Sequence, residues 1–500
     1  MTKSQKNVVG EDSFANHNIE TNGVLKKGSL GITHILFFVI AAAAPLTAIV
    51  GAAPLSYSLG NGAGTPVGYI LAGLVYLIFS IGFTAMSKHV GSAGAFYAFV
   101  AKGLGTSWAL AAGAITILTY FAIQLAIYAF FGAVISGLLE SLSISVPWWI
   151  PALVCIAVVD FCGQRQIEFS GKILGVCMLC EIAVLMILNL LILGNGGGPE
   201  GISFASFSPD IAFSSGIGIS ILFAVASFLG FEATVIFSEE AKNPQKTIPR
   251  ATYLAVIIIT LFYAFSAWCM VVAYGPSNIK EVATNDTADL FANTAQALGG
   301  TFLKDALNTL LVTSLFACVL SFHNTISRYL FAGGREKVLP SALAKTHPNF
   351  SSPYIACRWQ GVIAAVLLMI FVVFNADPYT IVYSWMAALS AIGVLSVQIL
   401  VAISIIRFFA KDAKDTNILQ RLISPVLSIL GLAGFLLIAL NNLPMLTGTE
   451  SPLIWGIPGL VIVVGILSFS GANLLKSKNP QHYNSLGGSF MDTALAEGQD

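Results

Sequence analysis

The chain has 500 residues, of which 56% are hydrophobic and only 10% are charged, and its mean hydropathy is +0.83. Ordinary soluble domains carry about 25% charged residues, and single soluble cores stop growing at about 250–300 residues. The composition therefore excludes one large water-soluble core and predicts a protein that needs lipid as part of its solvent. The formal net charge of +0 indicates no particular partner, and nothing suggests nucleic acid.

Long apolar blocks follow one another along most of the chain. A helix needs about 20 apolar residues to cross a hydrocarbon layer about 30 Å thick, and twelve blocks meet this requirement. Loops between them are short, so we expect an all-α polytopic membrane protein without an inserted soluble domain. The predicted spans are residues 31–57, 65–86, 105–137, 146–163, 171–194, 211–237, 251–274, 303–331, 359–375, 380–407, 422–441 and 453–475.

Basic residues are distributed unevenly over the predicted loops. With a cytoplasmic N-terminus, the tails and loops on that side hold all 24 Lys and Arg residues except Lys280 and Lys304. Because cytoplasmic loops are enriched in Lys and Arg, this asymmetry predicts that both termini are cytoplasmic. We expect a plasma membrane protein, in the inner membrane of a bacterium, with cytoplasmic tails at residues 1–29 and 476–500. The second tail is polar and is expected to be disordered.

Two predicted spans contain a point where a regular helix should break. The first includes four alanines before Pro45, and proline removes a backbone donor and obstructs the preceding turn. The sixth includes a serine, a glycine and a carboxylate at membrane depth. Breaks at corresponding positions indicate an inverted repeat with the substrate near the midplane, because unwound backbone in lipid needs polar partners. The predicted substrate-binding residues are Ala42, Ala43, Ala44, Pro45, Ser227, Phe228, Leu229 and Gly230.

Three groups of residues carry a family resemblance. The exit of span six reads G-F-E at 230–232, E-E-A-K-N-P at 239–244 and I-P-R at 248–250. The loop between spans two and three reads S-A-G-A-F-Y-A-F at 92–99, and the exit of span eight has S-R at 327–328, G-R at 334–335 and L-P at 339–340. With these motifs the chain resembles the amino acid-polyamine-organocation superfamily of permeases over roughly residues 28–440.

The resemblance implies a LeuT-type fold of five plus five helices, with helices 1 and 6 broken. We expect residues 30–410 to form this core and residues 411–475 to add two helices. The sequence departs from the family at two places. The usual glycine-rich G-S-G break of helix 1 is replaced by Ala41–Pro45, and Glu181 stands where some members have a lysine taken to replace a sodium ion. The coupling ion therefore cannot be copied from the family.

Two glutamates lie at membrane depth, where a charge costs about 2.5–3.5 kcal/mol and is a functional hypothesis by default. Glu181 lies near the middle of span five and is predicted to couple transport to an ion by changing between neutral and charged forms. The alternative is a neutral glutamate bonded to a neighbouring helix. For Glu232 the resemblance implies gating, and the alternative is a cap on unwound backbone N–H groups.

Several other polar residues are weaker candidates. Tyr120, Gln124 and Tyr128 share one face of span three and are expected either to contribute to gating at a cavity or to bond neighbouring helices. Ser314, Ser321 and Thr325 on span eight could line a cation site, and Ser321 is the candidate for binding the coupling ion. His34 and His323 are expected within reach of water near helix ends, where packing is the simplest role.

Motifs for catalysis, phosphate binding or metal binding are not apparent in the sequence. The sequence has no phosphate loop, catalytic triad or cluster of metal ligands, so we expect no enzyme, metal or cofactor. Its seven cysteines lie mostly within apolar blocks and indicate no disulfide framework.

These observations predict a secondary active transporter that imports amino acids, neutral ones by preference, or related amines by alternating access. Its expected partners are the small-molecule substrate, a proton or sodium ion and the bilayer, and we favour the proton. An exchanger or a sodium symporter is the alternative within the class, and a channel or transporter-like sensor is the alternative outside it. The sequence does not name the substrate or the oligomeric state.

Overall fold

The structure, a computed structural model, describes residues 31–90, 95–165, 171–238, 241–350, 352–447 and 452–486. These residues form helices joined by short loops, and no strand lies among them. The first helices are α1 (Ile32–Ala43), α2 (Pro45–Ser58), α3 (Thr65–Ser87), α4 (Ala95–Leu104), α5 (Thr106–Ser141), α6 (Trp149–Gln164), α7 (Gly171–Gly194), α8 (Pro209–Ala212) and α9 (Ile217–Ser227). The others are α10 (Pro244–Tyr274), α11 (Ile279–Asn285), α12 (Leu290–Arg335), α13 (Tyr354–Val373), α14 (Ser384–Lys411), α15 (Ser424–Asn441), α16 (Leu443–Thr447), α17 (Gly456–Lys478) and α18 (Pro480–Ser485).

Nine continuous helical segments among the described residues are long and apolar enough to cross a membrane. They contain α3, α5, α7, α10, α12, α13, α14, α15 and α17. The other three predicted spans correspond to α1 with α2, to the shorter α6, and to α9 with a 3₁₀ segment, Phe231–Ser238. Most of the α10 and α14 segments is buried inside the bundle, whereas most of α17 is exposed. The predicted all-α polytopic membrane fold is confirmed.

Corresponding helices of the two halves lie side by side. Helix α1 packs on the 3₁₀ segment Phe231–Ser238 and α2 packs on α9, so the two broken spans run antiparallel at the centre of the bundle. The next pair, α3 and α10, also packs together. The two helices approach closely at Gly73, where a Cβ atom would lie 2.0 Å from the Thr260 hydroxyl oxygen. This arrangement puts both breaks at one place in the molecule.

Both predicted breaks are present. Helix α1 ends at Ala43, and Ala44 has a left-handed backbone with φ 43° and ψ 71° before α2 begins at Pro45. Helix α9 ends at Ser227, and Gly230 has φ 107° before the 3₁₀ segment begins. Glycine adopts this conformation without steric cost, and proline at the first helical position loses no hydrogen bond. Each break therefore follows from local backbone chemistry.

Some elements differ from the expectations. Helix α4 lies inside the predicted loop between spans two and three, and α12 begins well before residue 303 and contains a non-helical Gly300 with φ 69°. The expected disorder of the C-terminal tail is wrong for residues 476–486, because α17 continues to Lys478 and α18 follows. The Tyr483 hydroxyl lies 2.9 Å from Ser107 Oγ, which fixes α18 against the start of α5. Residues 1–30, 91–94, 239–240 and 487–500, with their predicted tails and motif residues, lie outside the described residues.

Candidate functional site

A cavity of about 30 Å³ lies between the two breaks. A single water needs about 10–15 Å³ of such space, so the cavity has room for little more than water. The surrounding helices must separate before an amino acid can enter, and the structure is a closed state. The cavity is lined by Ala43, Thr47, Ala48, Ile123, Ile127, Ala226, Ser227, Leu229, Cys318, Phe322 and Tyr383.

The predicted substrate-binding residues divide into two groups. Ala43, Ser227 and Leu229 line the cavity. Phe228 does not, because its ring is fully buried on the other side of the break, 5.1 Å from the Tyr76 ring. Ala44, Pro45 and Gly230 form the breaks themselves, and the side chain of Ala42 lies outside the described part of the structure. Three of the predicted residues therefore line the cavity and Phe228 does not, and substrate binding by this set stays a prediction.

The start of α2 offers few free backbone donors to the cavity. Pro45 has no N–H group, and the Ala48 N–H donates to Ala44 O at 2.9 Å. Glu181 of α7 reaches this turn through Ser314, whose hydroxyl donates to Glu181 Oε2 at 2.9 Å. On the other side of the break, the Tyr263 hydroxyl donates to Ala43 O at 3.2 Å.

A chain of hydroxyl groups joins Glu181 to the cavity. The Thr47 hydroxyl donates to Ser314 Oγ at 2.9 Å, and the Ser314 hydroxyl donates to Glu181 Oε2 at 2.9 Å. Glu181 is 5% exposed, and Thr47 is one of the residues that line the cavity. The proposed cation ligand Ser321 has no such contact, because it lies two turns further along α12 and its side chain is exposed. Ser314, which was named with Ser321 for this cation site, contacts Glu181 instead.

Glu232 closes the second break. Its Oε2 accepts the Gly230 N–H at 3.0 Å, and its Oε1 accepts the Tyr120 hydroxyl at 2.9 Å. The side chain is 2% exposed. The carboxyl group therefore caps unwound backbone, as the alternative interpretation expected, and also joins that backbone to α5 through Tyr120. The half-helix that follows Gly230 is therefore capped by a glutamate of the chain.

The polar face of α5 has two different roles. Tyr120 lies at the cavity end and contacts Glu232, but Gln124 turns away from the cavity. Its amide donates to Val319 O at 3.3 Å and to the Tyr128 hydroxyl at 3.2 Å, and it accepts from the Gln360 amide of α13. Gln124 therefore bonds neighbouring helices, as the alternative interpretation expected, and a gating role for it stays a prediction. The residues of α5 that line the cavity are the apolar Ile123 and Ile127.

The structure describes the side chain of only one of the two histidines singled out in the sequence. His323 was expected within reach of water, but it is 0% exposed, and its ring lies where a Cβ atom at Gly163 would meet it at 2.7 Å. Its position between α12 and α6 corrects that expectation and agrees with a packing role. The side chain of His34 lies outside the described residues.

Sequence reasoning missed several residues of the cavity. Thr47, Cys318, Phe322 and Tyr383 all line it but belong to no recognised motif. For Thr47, its position two residues after Pro45, on the first turn of α2, could have indicated that it lies at the break. Tyr383 ends a π-helical segment, Pro378–Tyr383, and π segments often occur at functional sites, but the sequence alone did not reveal it.

Access to the cavity is unequal on its two sides. A vestibule of about 550 Å³ opens at the end of the bundle opposite the start of α1. Its floor includes Val50 and Leu311, which lie one turn from Thr47 and Ser314. The Tyr379 hydroxyl donates to Gly51 O at 2.7 Å across this thin barrier. The vestibule is lined by Val50, Ala133, Val134, Gly137, Leu138, Glu140, Ser141, Ala288, Asp289, Ala292, Asn293, Gln296, Thr301, Lys304, Asp305, Leu307, Asn308 and Leu311.

The barrier toward the start of α1 is thicker. The Tyr120 ring lies 5.7 Å from the Phe322 ring and 6.2 Å from the Tyr329 ring. Glu232 and the 3₁₀ segment add a further layer through the bond between Glu232 and Tyr120. The structure is therefore closed on both sides, with less protein between the cavity and the vestibule.

Comparisons with known proteins agree with this architecture. The chain is 24% identical over 405 residues to the serine/threonine exchanger SteT of Bacillus subtilis, covering 80% of this chain and 87% of that protein. It is 22% identical over 417 residues to the branched-chain amino acid permease BcaP of the same organism, covering 80% and 85%. It is 24% identical over 400 residues to the gamma-aminobutyric acid permease of B. subtilis, covering 78% and 81%.

A family profile gives the same result over most of the chain. The profile for amino acid permeases matches residues 34–470, which include both breaks, the cavity and every long apolar helix up to α17. The match begins within α1 and ends within α17, so it covers nearly all of the membrane-spanning bundle. The chain belongs to the amino acid permease family and is an integral membrane protein of the amino acid transport class.

Proposed function

We propose that the protein imports neutral amino acids by alternating access and couples this import to protons. The single observation that carries the proposal is the hydroxyl chain from the cavity to Glu181, through Thr47 and Ser314. It connects the place where a substrate would lie to a buried carboxyl group that can gain and lose a proton. We assign transport to residues 30–410, with α15 and α17 as additional helices.

The substrate is held by the two breaks. The positive N-terminal end of α2 suits a carboxylate, and carbonyl groups freed at the ends of α1 and α9 suit an ammonium group. The rest of the cavity wall is apolar, including Ile123, Ile127 and Leu229. Such a wall favours a side chain without charge. The names of two relatives, a serine/threonine exchanger and a branched-chain amino acid permease, support a neutral substrate.

The proposed orientation puts both termini in the cytoplasm and the protein in the plasma membrane. It rests on the distribution of basic residues, since only Lys280 and Lys304 then face outward. In this orientation the vestibule opens to the outside, and Glu140, Asp289 and Asp305 lie in it with Lys304. The thinner barrier is then the outer one.

Uptake into proteoliposomes tests the function and its coupling. We expect an inward proton gradient in sodium-free buffer to accumulate a neutral amino acid, and a protonophore to abolish the accumulation. Glu181→Gln mimics the protonated form, so it should retain exchange but lose accumulation. Accumulation by Glu181→Gln with unchanged ion dependence would refute the role of Glu181, and activity only with sodium would refute proton coupling.

Exchange is the second candidate, because the relative with 24% identity over 405 residues is named an exchanger. Counterflow separates the candidates. An obligate exchanger takes up labelled amino acid only when unlabelled amino acid is inside the vesicle, whereas a symporter also fills empty vesicles. Ohmic current without saturation would instead indicate a channel, and binding without any flux would indicate a sensor.

A further inference from the structure

We propose that a pocket at the end of α6 and the start of α13 binds the phosphate group of an anionic membrane phospholipid, whose acyl chains lie along the outer faces of these helices. The pocket has a volume of about 430 Å³ and lies where α6 ends at Gln164 and α13 begins at Tyr354. In the proposed orientation this end of the bundle is at the cytoplasmic surface of the membrane. The pocket shares no lining residue with the central cavity, so the inference goes beyond transport.

Two arginines supply the positive charge of the pocket. Arg165 follows the last residue of α6, Arg358 lies in the second turn of α13, and both side chains are exposed. Within the part of the chain that the structure describes, no carboxylate forms an ion pair with either guanidinium group. Arginine forms paired hydrogen bonds with phosphate oxygens. Two such groups at one pocket, without a carboxylate partner, therefore favour a phosphate ligand.

The contacts of the two guanidinium groups leave donors for this ligand. The central carbon of the Arg165 guanidinium lies 4.2 Å from the centroid of the Phe161 ring and 5.9 Å from that of Phe350. An aromatic face positions the cation without using its N–H donors. Arg358 Nη2 donates to Gln164 Oε1 at 3.3 Å, which uses one of its several N–H donors. Both groups thus keep most of their hydrogen-bonding capacity.

The pocket also contains a carboxylate, which is turned toward the protein. Asp160 Oδ2 accepts the Gln164 amide at 2.6 Å. Its Oδ1 is buried against α13, where a Cβ atom at Gly361 would lie 3.5 Å away. With His347 neutral, two guanidinium groups and one carboxylate leave a single positive charge, which matches the single negative charge of a phosphodiester.

The loop before α13 forms a wall of the pocket. The Ser352 hydroxyl donates to Gln164 O, and the His347 N–H donates to Ser352 O at 2.8 Å. The His347 and Phe350 rings pack together, with their centroids 4.8 Å apart. These contacts hold the wall against the end of α6 before a ligand binds, which lowers the entropic cost of binding.

An apolar surface continues from the pocket along both helices. Val158 and Phe161 of α6 are exposed about one turn apart, and Phe161 also lines the pocket. Trp359, Val362 and Val366 form an exposed row on α13, which packs on α6. Tryptophan is enriched at the membrane surface, and such rows suit acyl chains. A phospholipid matches both the arginines and this surface, whereas a soluble anion matches only the arginines.

Thermal unfolding of the delipidated protein in detergent tests the site. The probes are dioleoylphosphatidylglycerol, dioleoylphosphatidylcholine and inorganic phosphate. We expect phosphatidylglycerol to raise the unfolding midpoint saturably, because a ligand of the folded form stabilises it by mass action, and salt to weaken this effect. No stabilisation by phosphatidylglycerol, or an equal one by phosphatidylcholine, would overturn the inference. Equal stabilisation by inorganic phosphate would indicate a soluble anion and overturn the lipid assignment.

Variants locate the effect in the molecule. Arg165→Gln with Arg358→Gln should weaken phosphatidylglycerol binding at least about tenfold, because hydrogen bonds to a charged group are lost. Lys411→Gln with Lys478→Gln removes the same charge from exposed positions outside the pocket and should keep wild-type binding. Arg358→Lys alone should retain part of the affinity, since lysine also binds phosphate. Undiminished binding by the arginine pair, or an equal loss in the lysine pair, would overturn the assignment to this pocket.

Native mass spectrometry of the wild-type protein gives a result that does not depend on variants. We expect one phosphatidylglycerol molecule to remain bound under conditions that remove phosphatidylcholine, and equal retention of the two lipids would overturn the inference. Ligand-free melting curves establish which variants are folded, and the two arginines are replaced singly if the double variant is not. Both measurements are independent of transport, so a failure of the proposed function leaves them valid.

Discussion

Replacing Tyr120 by phenylalanine removes the hydroxyl group that contacts Glu232 and keeps the ring. That hydroxyl donates to Glu232 Oε1 at 2.9 Å, and the two side chains are 5% and 2% exposed. Hydrogen bonds to charged groups contribute about 1.5–3 kcal/mol, and neutral ones about 1 kcal/mol. We expect Tyr120→Phe to lower the free energy of unfolding by an amount in the first range when Glu232 is ionised, and near the second when it is neutral.

Thermal unfolding in detergent, followed through a double-mutant cycle, measures this contribution. An unfolding entropy near 2.1 cal/mol/K per residue gives about 1 kcal/mol/K for 500 residues, so a loss of 1.5–3 kcal/mol lowers the midpoint by roughly 1.5–3 °C. In the Glu232→Gln background the Tyr120→Phe change should cost less. Tyr354→Phe on α13 is the matched control and should cost little. Fully additive shifts, or no shift for Tyr120→Phe, would refute the contribution of this bond.

Three further changes test the site and the orientation. Ser227→Trp should fold but lose substrate-dependent thermal stabilisation, because an indole fills a cavity of about 30 Å³, whereas Ser227→Ala should retain it; normal transport by the tryptophan variant would remove Ser227 from the site. In a Cys180→Ser background, a small methanethiosulfonate should inhibit transport by reacting with the Cys318 thiol, and bound substrate should slow this reaction. Cys318→Ala should resist the reagent, and equal inhibition of Cys318→Ala would contradict the placement of Cys318 at the cavity. Cysteine at Ser277, which is exposed, should label from outside and cysteine at Ser341 from inside; opposite labelling would reverse the proposed topology.

The positions of the breaks could be predicted because they depend on local backbone chemistry. Pro45 lacks a donor, and Gly230 tolerates a positive φ, wherever the helix lies in the fold. The burial of Glu181 and Glu232 could also be predicted, since each lies within a long apolar block. These features require no knowledge of which helices are neighbours.

The contacts across the site could not be predicted, because they depend on the depth of one helix against another. Ser314 and Ser321 are seven residues apart and share one face of α12, so sequence spacing cannot decide which of them meets Glu181. The sequence left the role of Gln124 on α5 open for a related reason. A buried amide must find hydrogen-bond partners, and Gln124 finds them on α12 and α13, which leaves Ile123 toward the cavity.

The alanine at the first break has a consequence for how the carrier changes state. A left-handed backbone at a residue other than glycine costs roughly 1–2 kcal/mol, and Ala44 has φ 43°. A family member with glycine there keeps an open backbone at no such cost. In this chain the Tyr263 hydroxyl, which donates to Ala43 O at 3.2 Å, helps to hold the broken form. Loss of this bond during the cycle would favour a straighter helix, and Ala44→Gly would remove the backbone strain that drives the change.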